Sequence, residues 1–78
     1  MVQSVAARKV NGHLERVAML ADDRTARLTA LESLRNKALY SGEEEAVRSL
    51  EYLSMEGRGK VRRAAKSALG ELDALRRR

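Results

Sequence analysis

The chain has 78 residues, 8.7 kDa and no cysteine, room for one small domain held by packing, with neither a disulfide framework nor a thiolate metal site. A single His excludes a histidine-rich metal cluster. The net charge is +5, but residues 1–57 carry eight Lys or Arg against nine Asp or Glu, a balance of −1, while residues 58–78 carry eight against two, a balance of +6. The basic excess therefore belongs to one segment.

Eleven Leu, six Val and twelve Ala must build the core, with no Phe, Trp or Pro and only two Tyr. That palette favours helices over strands and predicts an all-α chain. No stretch approaches the roughly 18 apolar residues of a membrane span, and the first nine residues lack the apolar run of a secretory signal. A cytoplasmic setting is expected.

Breakers at Asn11-Gly12, Asp22-Asp23, Ser41-Gly42 and Gly57-Arg58-Gly59 predict four antiparallel helices over about 2–21, 24–40, 43–56 and 60–76. In the first, Ala6, Val10, Leu14, Val17 and Ala21 form one stripe of a 3.6-residue period. Asn11-Gly12 interrupts the outer side of that helix, which is kept whole because the stripe continues in phase; a break there is the alternative. His13 falls at the stripe's edge, as a half-buried packing residue rather than a catalytic base.

Asp22 or Asp23 can cap the second helix. Its apolar arc, from Ala26, Leu28, Ala30, Leu31, Leu34 and Ala38, covers about half the circumference, so this helix is expected to touch neighbours on two sides. Ser41 and Glu44 fit a capping box opening the third helix, where Glu43, Glu44 and Glu45 meet the positive end of the helix dipole. Its stripe is Ala46, Val47, Leu50 and Leu53. The fourth helix buries Val61, Ala65, Ala68, Leu69, Leu72 and Leu75, and sets Arg62, Arg63, Lys66 and Arg77 on the far side, with Lys60 and Arg78 at the border and Gly70 within the ridge.

An internal repeat is visible. At an offset of 35, Arg27 falls on Arg62, Ala30 on Ala65 and Leu34 on Leu69; at 36, Val10 falls on Ala46, Leu14 on Leu50 and Val17 on Leu53. The chain reads as two helix pairs. The segment Ala46-Val47-Arg48-Ser49-Leu50-Glu51-Tyr52-Leu53, followed by Gly59-Lys60-Val61-Arg62-Arg63-Ala64-Ala65-Lys66-Ser67-Ala68-Leu69-Gly70-Glu71-Leu72, resembles the HEAT-like helical repeat family, in particular the short bacterial type also found in phycobilisome lyases. Residues 14–34 match more weakly, keeping the Arg, Ala and Leu without the Gly, and the usual Asp-Pro of the inter-helix turn is absent. The resemblance implies two HEAT-like helix pairs in a right-handed stack and a binding or scaffolding role; a compact four-helix bundle is the alternative. It also implies a structural Arg27, for which Asp23 or Glu56 is the expected partner.

Two repeats leave flanks uncovered, and Leu20, Leu28, Leu31 and Leu39 exceed what single stripes need, which predicts an apolar surface for a protein partner or a second copy. The basic face of the last helix would steer an acidic partner; the alternative is nucleic-acid binding through phosphate contacts. Scattered Ser, Tyr and Glu, with no phosphate loop, nucleophile elbow or metal-ligand spacing, argue against an enzyme, and no cofactor, membrane or small-molecule substrate is expected.

Overall fold

In the computed structural model, residues 5–77 are described, with side chains from Asn11 to Arg77. They form α1 (Val5–Leu20), α2 (Arg24–Tyr40), α3 (Glu44–Glu56) and α4 (Gly59–Arg76), with no strand among the described residues. The fold is all-α, and its helix limits lie within a residue or so of those expected for α2, α3 and α4. Residues 1–4, the expected side-chain roles of Ala6 and Val10, and Arg78 lie outside the described residues.

The helices associate as two antiparallel pairs, α1 with α2 and α3 with α4, laid against each other. The central α2 and α3 each pack on all three other helices, whereas α1 and α4 barely meet. The two first helices and the two second helices thus lie side by side, and the molecule is a flat slab of 35 × 29 × 17 Å. No described helix is long and apolar enough to cross a membrane.

The wide arc of α2 explains its central position: Ala30, Leu31, Leu34 and Ala38 are buried, and Ala26 and Leu28 are half-buried. On α3 the whole expected stripe is buried, joined by Ser49. On α4 Val61, Ala65, Ala68 and Leu72 are buried, Leu69 packs on the core from its edge, and Leu75, expected in the buried stripe, is 43% exposed. Burial relates Leu31 to Ala65, Leu34 to Ala68 and Ala38 to Leu72, an offset of 34 between the second helices. That is one residue short of the register read from the Arg, Ala and Leu identities. Arg27 accordingly stands where the other pair has the buried Val61, not Arg62.

In α1 the helix runs unbroken through Asn11-Gly12, but its inward line differs from the apolar stripe. Asn11 and Ala18 are buried, while Leu14 and Val17 are half-buried. Asn11 was expected on the outer side; it is 2% exposed, and neither side-chain polar atom has a hydrogen-bond partner among the described residues.

Turn chemistry is partly as expected. Asp23 caps α2, its Oδ1 accepting from the N–H of Thr25 at 3.2 Å. The Ser41–Glu44 capping box does not form. Ser41 instead closes α2, its N–H donating to the Lys37 carbonyl, and the N-cap of α3 is Glu43, without a side-chain cap bond. Gly42, at φ 64°, turns the chain through a conformation that β-carbon sterics make costly for other residues, and so separates Ser41 from the start of α3. Glu44 is used differently: its carboxylate accepts from Arg76 of α4 at 2.7 Å.

Candidate binding surfaces

The basic face of α4 divides into free and committed cations. Arg62, Arg63 and Lys66 are exposed and form no ion pair among the described residues. Arg77 was expected to join them, but its guanidinium lies 2.9 Å from Asp73, one turn earlier, and Arg76 is held by Glu44. Free charge therefore gathers in the first half of α4, where Lys60 is also exposed.

That gathering continues across the pair boundary. α2 and α4 run in parallel: their starts adjoin, their middles are joined by Arg35 and Glu71, and their ends share a depression lined by Leu39, Tyr40, Ala74 and Leu75. At the starting end, Arg24 and Arg27 of α2 line a cleft of about 300 Å³ with Arg58, Gly59, Lys60, Val61 and Arg63. Neither helix has an acidic residue in its first turn, although negative charge is the usual complement there. Sequence reading by single helices missed Arg24 and Arg58; the absence of acid from both first turns was the available signal.

Arg27 does not pair with Asp23 or Glu56. Its Nη1 donates to the main-chain carbonyls of Ala21 and Asp22, the latter at 3.0 Å. The end of α1 leaves carbonyls without helical partners, and a half-buried guanidinium supplies donors without the cost of burying an ion pair.

The expected apolar surface is largely core. Leu31 is 1% exposed, Leu28 and Leu39 are half-buried against the core, and only Leu20 of the four is open to solvent. The arc of α2 is wide because the helix has three neighbours, so its extra Leu residues face inward. An apolar groove nevertheless exists on the first pair. It holds about 360 Å³ on a floor of Leu14 and Val17 from α1 and Ala26 and Ala30 from α2, rimmed by His13, Asp23, Thr25, Thr29 and Ser33. His13 is exposed on this rim, not half-buried as expected.

Contacts between the pairs are polar at their margins. The buried Ser49 donates from Oγ to Glu15 Oε2 at 2.9 Å, joining α1 to α3. Arg35 donates to both carboxylate oxygens of Glu71, at 3.1 and 2.6 Å, joining α2 to α4. Both bonds cross the boundary between the pairs, and the second lies between the two helices whose starts form the basic cleft. Comparison with family models, curated proteins and solved structures found no match for the chain.

Proposed function

We propose that this protein is a non-enzymatic helical-repeat module of the HEAT-like type, which binds a protein partner on the uncovered flank of its first helix pair and acts in the cytoplasm. The observation that carries this reading is the groove of Leu14, Val17, Ala26 and Ala30 with its polar rim. An apolar centre within a polar margin is the anatomy of a protein interface. It lies where a further repeat would stack, and stacked neighbours are what bury such flanks in repeat proteins. The unpaired Arg62, Arg63 and Lys66 stand apart from the groove's lining and would raise the association rate of an acidic partner.

A second reading, favoured by the same three unpaired cations, is binding to the phosphate backbone of a nucleic acid. No aromatic residue lies among them to stack on bases, so such binding would carry little sequence preference. Salt separates the two. Titration of a fluorescent duplex with the full chain at about 50 and 200 mM salt should show affinity falling by roughly tenfold or more between the two if three phosphates are contacted. The protein-partner reading predicts no saturable duplex binding at either concentration, and tight, steeply salt-dependent binding would replace it with the second.

A further inference from the structure

We propose that the cleft between the starting ends of α2 and α4 is a binding site for a doubly charged phosphoryl group, free or as a terminal monoester. The proposal is independent of the partner proposed for the groove, which lies elsewhere on the first pair.

Five cations, Arg24, Arg27, Arg58, Lys60 and Arg63, line one concavity of about 300 Å³, and no acidic side chain lines it. None of the five forms an ion pair among the described residues. Asp22 and Asp23 precede Arg24 in the chain, but neither lines the cleft and neither forms an ion pair with the five cations among the described residues. Convergent like charges repel, and here nothing in the lining offsets them; a bound anion would.

The donors have the arrangement a phosphoryl group requires. Arg27 is oriented in advance by the two carbonyls that hold Nη1, which leaves further N–H groups of the planar guanidinium free. Arg24 stands on the same helix one turn before it, and Arg58, Lys60 and Arg63 approach from the other side. The N–H groups of Gly59 and Lys60 have no acceptor among the described residues, and Arg58 provides no side-chain cap. Gly59 itself, at φ 47°, leaves open space where a side chain would stand. A carboxylate offers two oxygens to this array, a phosphoryl dianion three and twice the charge. The five cations converge on one concavity, as a compact dianion requires, whereas a duplex would spread its contacts over Arg62 and Lys66 as well.

The test is amide chemical-shift titration of the full-length protein with inorganic phosphate and with methyl phosphate, against sodium chloride at matched ionic strength. Saturable shifts centred on Arg24, Gly59 and Lys60 are expected, with Arg24→Ala/Arg63→Ala weakening binding by roughly tenfold or more, and Arg62→Ala/Lys66→Ala changing it less than about twofold. Saturation by both ligands identifies a site for terminal monoesters, and saturation by phosphate alone a site for the free anion. Shifts no larger than those from chloride would overturn the proposal. So would equal weakening by the two double variants, which would mean that phosphate senses only a diffuse field. Helical circular dichroism of each variant separates a lost site from a lost fold.

Discussion

Arg35 and Glu71, 36 residues apart, are bonded through two parallel N–H···O contacts that tie the middle of α2 to the middle of α4. The hydrogen bonds from Arg35 hold the Glu71 carboxyl below its ordinary value of 4.5 and raise the guanidinium above its own, outweighing the opposing desolvation of each group. Glu71, with a folded-state value below its unfolded one, contributes stability above the ordinary Glu range that is lost as the pH falls through the folded-state value. Arg35 is charged in both states throughout that window. Glu71→Gln should therefore lower the urea midpoint slightly at pH 7, the pair being open to solvent and screened by salt. The difference from the parent chain should narrow as the pH falls below the ordinary Glu range and through the lowered folded-state value. A difference that stays constant across an acid titration would show that the carboxylate's charge is not what matters.

Asn11 is the least economical residue of the core, because both its polar atoms are buried without a hydrogen-bond partner among the described residues. Asn11→Leu keeps the branched four-atom side chain, removes that desolvation and should stabilise the chain by about 1 kcal/mol, less any cost of the larger methyl groups. Denaturant unfolding would read this as a raised midpoint with unchanged slope.

Next to it, Gly12 lies within α1 with nothing within 4 Å of the position a β-carbon would take. Gly12→Ala should add roughly 1 kcal/mol through helix propensity alone. Gly57 is the opposite case. Its backbone, at φ −69°, is open to any residue, but an added β-carbon would stand 2.5 Å from the Leu53 carbonyl oxygen. Gly57→Ala should cost about 1–3 kcal/mol, in the range of overpacked sites. Paired thermal melts of the two alanine variants should thus move in opposite directions.

Leu50 is fully buried on α3, which packs on all three other helices. Truncation to Ala should cost about 2–5 kcal/mol, against a total of roughly 4–12 kcal/mol expected for a chain this long. Thermal unfolding of Leu50→Ala should shift down far more than that of Leu20→Ala, whose side chain is 68% exposed.

Much of the fold was legible because the information is local. Asp22-Asp23 and Gly57 punctuate the chain where helices change, and the Ala46, Val47, Leu50, Leu53 stripe of α3 is buried as read. The capping box failed for a local reason of another kind: Gly42 takes a left-handed turn, leaving Ser41 to finish α2. What helix-by-helix reading could not reach was set by the neighbours. Leu31 reads as surplus on one helix but is core once α2 has three partners. Asn11 reads as outward by polarity, yet the packing of α1 turns it in. Arg24 and Arg58 belong to different pairs, and only the parallel packing of α2 and α4 brings them to one cleft. The sequence signal for the basic face was sound in charge but misplaced along the helix, since Asp73 and Glu44 take up Arg77 and Arg76.

A protein partner on the flank of the first pair should be recovered by affinity capture with the immobilised full chain from nuclease-treated lysate of its own source cells. The parent chain is compared with Ala26→Glu, which places a charge on the groove floor, and with Arg62→Glu/Arg63→Glu/Lys66→Glu. One dominant protein should be retained after nuclease treatment and lost with Ala26→Glu. With the charge-reversed variant it should be retained at equilibrium but slower to associate. Retention of that protein by a folded Ala26→Glu chain, or retention that depends on intact nucleic acid, would contradict binding on that flank.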